Sequence, residues 1–225
     1  MKVGKRLRAA YGRVEHEKIY SLSEAVALVK QNAMAKFDET VELALVLNID
    51  ATKTDQHVRG VAMLPHGTGK QCRVAVFARA AQADEAKEAG ADVVGAEDLV
   101  EAIQKGELNF DRCVATPDLM PLVSRVAKIL GPRGLMPSPK VGTVTVNVGA
   151  AVKVIKGGQV EFRSEKGGII HAGVGKASFE QAALEENVRF FVNLVRDENA
   201  SLVKGTIIKR LSLSSTMGAG VKFAL

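Results

Sequence analysis

The sequence has little cysteine and no long apolar run. Its two cysteines, Cys72 and Cys113, each lie within an apolar stretch and lack the CxxC spacing of a metal or redox site. We therefore expect both thiols to be buried and structural. No apolar run approaches the roughly 20 residues of a membrane span, and the basic segment 1–18 lacks the apolar stretch of a secretory signal. These absences predict a cytosolic protein with no membrane partner.

Catalytic motifs are also missing. Segment 64–70 has Leu64 where a phosphate-binding loop needs glycine, and Gln71 where it needs serine or threonine. No serine or cysteine occupies a nucleophile elbow. The histidines fall in no metal-ligand spacing; they are His16, His57, His66 and His171. The sequence therefore predicts no enzyme activity, metal, cofactor or small-molecule substrate.

Positive charge is present in excess and is concentrated at one end. The formal net charge is +6, which favours a polyanionic partner but is common among soluble proteins. Residues 1–13 contain no acid, and their basic residues are Lys2, Lys5, Arg6, Arg8 and Arg13. From the residues alone, this basic arm is equally compatible with phosphate contact and with a solvated terminus.

The two ends of the chain predict a mixed α+β layer. Ser21 and Glu24 form a capping box for a helix, and large aliphatic residues at the odd positions of 41–49 indicate a half-buried strand. Towards the C-terminus, a strand at 160–163 precedes a helix for which Ser178 and Gln181 predict a second capping box. The apolar face of this helix is Leu184, Val188, Phe191 and Val195. Strands at 206–213 and 221–225 complete the pattern.

The middle of the chain predicts a different architecture. Strands at 72–78, 92–94 and 112–115 alternate with helices at 80–89, 97–105 and about 119–130. This alternation is typical of parallel βαβ units, so we expect a Rossmann-like, three-layer α/β domain at residues 68–157. It would be inserted into a discontinuous α+β domain formed by residues 1–67 and 158–225. Glycines at the two crossings, which are Gly67, Gly69, Gly157 and Gly158, are the predicted hinge.

Three polar segments at strand ends are candidate RNA contacts. In segment 36–40, an exposed Phe37 could stack on a base while Lys36 pairs with a phosphate, although a Phe37 buried at a helix–strand corner is slightly favoured by the residues alone. Segment 214–220 combines hydroxyls with glycines that allow close approach to an RNA backbone, or it is an ordinary hairpin turn. Segment 163–168 adds charge at another strand end and is equally ambiguous.

Several motifs together resemble one family. They are Gly-Pro-Arg-Gly-Leu-Met-Pro at 131–137, Lys-Val-Gly-Thr at 140–143, Asp-Gln-His-Val-Arg-Gly at 55–60, Leu-Pro-His-Gly-Thr-Gly at 64–69, Gly-Ile-Ile-His at 168–171 and Ser-Thr-Met-Gly-Ala-Gly at 215–220. Their order and spacing along nearly the whole chain resemble those of the motifs in the bacterial ribosomal protein L1 family of the large subunit. The family commonly has proline after Thr145, where this chain has Val146.

The resemblance implies a function and a set of site residues. It implies that the discontinuous domain binds a helical junction of large-subunit ribosomal RNA. It also implies a mobile stalk that helps deacylated transfer RNA leave the exit site, and repression of translation through the protein's own messenger RNA. The implied protein is a monomer when free. The implied RNA surface consists of Lys36, Phe37 and Thr40, with Arg163 and Lys166 beside them and Ser214, Thr216, Met217, Gly218 and Gly220 opposite.

Two other functions are compatible with the residues taken without the resemblance. A small-ligand-binding or enzymatic α/β protein predicts stabilisation by nucleotides and weak RNA affinity that is indifferent to RNA fold. A scaffold without RNA contact predicts no salt-dependent RNA binding.

Overall fold

The structure is a computed structural model that describes residues 4–15, 17–50, 56–79, 81–202 and 205–225. Lys2, His16 and Asp55, which entered the sequence analysis, lie outside the described residues. The chain divides into two compact units. Unit 1 comprises Met1–Gly69 and Val160–Leu225, and unit 2 comprises Lys70–Gln159. The crossings expected from the sequence lie two residues earlier.

The predicted helices and strands occur in their expected order, and further elements lie between them. The first part of unit 1 contains α1 (Lys5–Gly12), β1 (Tyr20–Ser21), α2 (Leu22–Asn32), β2 (Thr40–Leu47) and β3 (Arg59–Met63). Unit 2 contains β4 (Val74–Phe77), α3 (Ala81–Glu88), β5 (Val93–Gly95), α4 (Glu97–Gln104), β6 (Arg112–Ala115), α5 (Met120–Ser124), α6 (Ala127–Leu130) and α7 (Val148–Lys156). The chain then returns to unit 1 with β7 (Gln159–Arg163), β8 (Ile169–Lys176), α8 (Gln181–Asn199), β9 (Ile208–Ser215) and β10 (Val221–Ala224).

Unit 1 is built on a five-stranded sheet in the order β1-β10-β9-β2-β8. The odd-numbered residues of β2, from Val41 to Leu47, are buried as the period of two predicts. They pack with the apolar faces of α2 and α8 in one core. Strands β3 and β7 form a separate two-stranded sheet. Unit 1 is thus the discontinuous α+β layer.

The beginnings of the two long helices of unit 1 differ. The predicted capping box at α2 is confirmed, because Ser21 Oγ accepts from Glu24 N and Glu24 Oε2 accepts from Ser21 N. The capping box predicted at Ser178 is wrong. Helix α8 begins at Gln181, and its N-cap Glu180 makes no capping hydrogen bond. Ser178 instead donates its hydroxyl to Asp38 (2.8 Å), since a long-range acceptor is within reach.

Unit 2 has the predicted three layers. Its parallel sheet has the order β5-β4-β6. One core joins the sheet to α4, α5 and α6, and a second joins the opposite face to α3 and α7. The fold class predicted from the sequence, an α/β domain inserted into an α+β domain, is confirmed.

Two elements of unit 2 depart from the expectations. The single helix expected near 119–130 is broken into a 3-10 turn at Pro117–Leu119 followed by α5 and α6, with Val126 leaving helical geometry (φ −105°, ψ 8°). Helix α7 was not predicted, although Asn147 caps it by accepting from Ala150 N and Val148, Val152 and Ile155 form its buried face. Within the described ranges, no helix combines the length and apolarity needed to cross a membrane.

Candidate nucleic-acid interface

Two segments predicted to contact RNA meet at one end of the unit 1 sheet. Thr40 N donates to Thr216 Oγ1 (3.0 Å), and Thr216 N donates to the Thr40 carbonyl (3.1 Å). These bonds join the loop before β2 to the turn between β9 and β10. We call the resulting surface the threonine platform, which consists of Lys36, Phe37, Thr40, Thr216, Met217 and Gly218. Of the remaining members of the second predicted segment, Ser214 lies in β9 next to its last residue, and Gly220 immediately precedes β10.

A buried carboxylate joins the two loops of the platform by hydrogen bonds. Glu39 is 2% exposed, and its two oxygens accept from the backbone N–H groups of Ala35 and Met217, each at 2.9 Å. Its own carbonyl accepts from Ala177 N (2.8 Å). Burial by itself would raise the pKa of Glu39, but the hydrogen bonds from Met217 and Ala35 hold that pKa below its ordinary value. This role of Glu39 could not be predicted from the sequence, because Met217 lies 178 residues away in the chain.

The platform presents two large apolar side chains to solvent. Phe37 is 55% exposed and Met217 is 49% exposed. The sequence interpretation that slightly favoured a Phe37 buried at a helix–strand corner is therefore wrong. Asp38, the residue after Phe37, is tied to Ser178 by bonds from the serine N–H and hydroxyl, which directs the loop outwards. An exposed ring beside hydroxyls and backbone amides is a surface on which a base can stack.

Several cations that were not predicted from the sequence to belong to the platform lie around it. Lys176 Nζ donates to Thr40 Oγ1 (2.9 Å), and Lys30 Nζ donates to the carbonyl of Phe179. The basic helix α1 is docked near the end of α2, where Arg13 donates to Asn32 Oδ1 (3.4 Å). Arg6 on the same helix lies close enough to lower the pKa of Glu39. Part of the basic arm is therefore ordered structure beside the platform.

Arg163 and Lys166 are placed elsewhere, so the expectation that they lie beside Lys36 and Thr40 is wrong. In the sheet, Thr40 pairs with Lys176 whereas Val46 pairs with Ile169. Six residues of strand separate those two pairs, which corresponds to roughly 20 Å. Arg163 and Lys166 flank the loop that leads into Ile169, at the far end of β2, because antiparallel pairing carries the two ends of β8 to opposite ends of its neighbour. Both side chains are exposed.

The first crossing segment is held on unit 1 by a buried amide. Asn187 on α8 is fully buried; its Oδ1 accepts from His66 N (3.1 Å), and its Nδ2 donates to the carbonyls of Gly67 (3.0 Å) and Val174 (2.8 Å). Gly69 has a φ of 68°, and a Cβ there would lie 2.9 Å from Lys176 Cγ. The segment is thus fixed as far as Gly69, next to the lysine that bonds Thr40.

The other proposed hinge glycines differ from one another in backbone conformation. Gly67 and Gly158 have positive φ angles of 63° and 99°, which favour glycine. Gly157 ends α7 with a helical φ of −70°. A hinge at these positions stays a prediction.

The potential metal ligands and the two cysteines are separate from the platform residues. No group of three or more His, Cys, Asp or Glu in this part of the chain could hold a metal ion. Cys113 is buried, and burial raises the pKa of its thiol. Cys72 is only partly buried, so the expectation that both cysteines are buried is wrong for Cys72, which precedes β4 rather than lying within it.

Comparison with known proteins matches residues 29–219 to the model of the ribosomal protein L1p/L10e family. The match spans well over half of the chain and includes both loops of the threonine platform. Proteins of such a family are ribosomal RNA-binding structural components, are generally not enzymes, and are placed on the ribosome in the cytoplasm. The chain belongs to the ribosomal protein L1p/L10e family.

Proposed function

We propose that the chain is a bacterial member of this family and that unit 1 binds a helical junction of large-subunit ribosomal RNA through the threonine platform. The observation that carries the proposal is the pairing of Thr40 with Thr216 above the buried Glu39. It fixes two loops that expose an aromatic ring, a thioether, hydroxyls and backbone amides. A rigid surface of this kind suits the shape of a folded RNA better than a helix inserted into a groove, because the deep major groove of A-form RNA excludes side chains.

The remaining roles follow from the same surface. Bound to the ribosome, the protein forms a mobile stalk beside the exit site and aids the release of deacylated transfer RNA. Free protein is a monomer and represses translation by binding a similar junction in its own messenger RNA. Gly157 and Gly158 at the return crossing supply the mobility between the two units, whereas Gly67 and Gly69 belong to a segment that is held on unit 1. Arg163 and Lys166, at the far end of the sheet, contact a different part of the RNA from the platform.

The test is binding of a folded large-subunit RNA stalk fragment across a salt series. Stacking of one base on an aromatic ring contributes about 1–3 kcal/mol, so Phe37→Ala should weaken binding by roughly 5- to 150-fold. Thr216→Ala removes a bond that joins the two loops and should weaken binding through loss of shape. Phe190→Ala is the matched control, since Phe190 on α8 is 40% exposed and lies outside the platform.

The outcomes separate the functions that the sequence left open. Tight, structure-selective and salt-dependent binding that both platform variants weaken supports the proposal. Binding no stronger than to random RNA, together with stabilisation by a nucleotide, would instead support the small-ligand function. Complete absence of salt-dependent binding would support the scaffold. Competition by the leader of the protein's own messenger RNA, and slower loss of exit-site transfer RNA from ribosomes that lack the protein, test the two further roles.

A further inference from the structure

A second concave surface lies in unit 1, away from the platform. Two adjoining cavities of about 410 and 480 Å³ share Arg196, Ala224 and Leu225 in their walls. They open where β9 begins and β10 ends. In the sheet register Val41 pairs with Ser215 and Val46 pairs with Arg210, so this surface and the platform lie towards opposite ends of the strands, with five residues or roughly 17 Å between the two pairs.

The walls of these cavities carry a strong excess of positive charge. Their cations, Arg189, Arg196, Lys209, Arg210 and Lys222, define what we call the basic groove. Glu17 is the single acid among the residues that line them. Among the described residues, Arg189, Arg196, Lys209 and Arg210 make no ion pair. Their mutual repulsion is unfavourable without an anion, which makes the groove an electrostatic site for a polyanion.

The cations belong to regular elements rather than to one loose loop. Arg189, Asn193 and Arg196 lie at positions i, i+4 and i+7 of α8 and therefore share one face of that helix. Lys209 and Arg210 belong to β9, and Lys222 belongs to β10. Because helix and strands share a common core, the backbone positions that carry these side chains are fixed relative to one another.

Apolar side chains lie beside the charges. Ile19, which is 65% exposed, and the partly buried Leu211 line the same cavity as Lys209 and Arg210. A free inorganic anion would need only the cations, whereas a nucleotide chain also offers ribose and base surfaces to pack against aliphatic groups. The combination fits a nucleic-acid backbone.

Two of the lysines near the platform are also engaged with the protein itself. Lys30 and Lys176 already donate to protein oxygens there, and the net charge near it is reduced by Glu39 and Asp38. We propose that the basic groove binds the sugar–phosphate backbone of a second RNA segment, distinct from the one on the threonine platform. This proposal rests on the proposed function. Unit 1 would then contact the RNA at two separate surfaces. The platform recognises the junction, and the groove neutralises phosphates of a neighbouring RNA arm.

The experiment uses the full chain with Arg196→Gln, Lys209→Gln and Arg210→Gln combined, binding the same folded stalk fragment across a salt series. Each phosphate contact adds about 0.7–0.9 to the log–log salt slope, so loss of three should reduce the slope by about 2–3. Arg125→Gln, Lys128→Gln and Lys105→Gln combined remove the same charge from exposed positions of unit 2 and should leave the slope nearly unchanged. Phe37→Ala should weaken wild type and the groove variant by the same factor, because the two surfaces act separately.

Location is tested by cleavage of the RNA from a tethered iron chelate. The chelate is attached at Asn193→Cys, inside the groove, or at Met34→Cys, an exposed position two residues before Lys36 of the platform, with Cys72→Ser as the background. Cleavage in two different RNA segments is the expected result. An unchanged salt slope, an equal loss in the unit 2 control, or no cleavage from position 193 would overturn the groove while platform effects persist. Failure of wild type to bind the fragment at all would overturn the proposed function instead.

Discussion

Glu39 shows how one residue can support a surface that it does not form. Its carboxylate is buried and accepts two backbone N–H groups, from Ala35 and Met217, and these belong to the two loops that Thr40 and Thr216 join. A buried acceptor that is removed leaves its donors unsatisfied, which costs about 1–3 kcal/mol for each group. The exposed platform therefore depends on a charge that no ligand touches.

Glu39→Ala should lower the free energy of unfolding of unit 1 by about 2–5 kcal/mol, because two partly buried N–H donors lose a charged acceptor. Tyrosine fluorescence during urea unfolding is the measurement. The sequence has no tryptophan, and both tyrosines, Tyr11 and Tyr20, lie in unit 1. Glu42→Gln, at an exposed position of β2, is the control and should stay within about 0.5 kcal/mol of wild type.

The same residue gives a pH dependence with a definite sign. The pKa of Glu39 is lower in the folded protein than its ordinary value, which is about 4.3 in an unfolded chain. Its stabilisation is therefore complete above about pH 4.3 and is lost as pH falls through the folded pKa. Glu39→Gln should flatten this acid limb. An acid limb of the same steepness in wild type and Glu39→Gln would argue against the assignment.

At the scale of elements, helix α8 holds the segment at which the chain first leaves unit 1. Asn187 on this helix satisfies groups from the crossing segment at His66 and Gly67 and from β8 at Val174. Because the next residues lead to Gly69 against Lys176, and Lys176 bonds Thr40, the crossing and the platform share a neighbour. A mobile boundary is compatible with this arrangement only beyond Gly69.

Asn187→Leu keeps the side-chain size but removes all three bonds, and we expect a loss of about 3 kcal/mol in the free energy of unfolding of unit 1. Hydrogen exchange at the His66 amide should accelerate, since its acceptor is gone. Asn193→Leu on the exposed face of the same helix is the matched control and should change stability by no more than about 0.5 kcal/mol. Equal losses of stability in both variants would mean that a change in helix propensity, rather than the loss of the three Asn187 hydrogen bonds, determines the result.

Elements could be predicted from the sequence where the interactions that determine them join residues close together in the chain. The alternation at 41–47 and the capping box at Ser21 are local, and both are confirmed. The start of α8 was wrong because Ser178 bonds Asp38, 140 residues away. The placement of Arg163 and Lys166 was wrong because it depends on the register between β2 and β8. Motif resemblance identified the loops of the platform, but only the fold places them together.

At the scale of the whole molecule, each unit has a core of its own. The unit 1 core contains residues from both of its chain segments and none from unit 2, and the two cores of unit 2 contain none from unit 1. Where the chain leaves and returns, β3 and β7 are paired, with Ser164 N donating to the carbonyl of Val58 (2.8 Å). This closes unit 1 without help from the insertion.

Replacing unit 2 by a flexible glycine–serine linker of about eight residues should therefore leave a protein that unfolds in one cooperative transition. Its affinity for the stalk fragment should remain within about threefold of the full chain, or about 0.65 kcal/mol, because the platform and the basic groove both lie in unit 1. A folded deletion variant that binds more than tenfold more weakly would show that unit 2 contributes to RNA contact.

The unequal burial of the two cysteines has a practical consequence. A maleimide dye at neutral pH reacts with an accessible thiolate, and Cys113 in β6 offers none. Cys72 lies two residues beyond Lys70, the first residue of unit 2, and is partly open. The unaltered chain thus carries a single attachment point at the start of its insertion, where a fluorophore would report on the crossing during assembly into a ribosome.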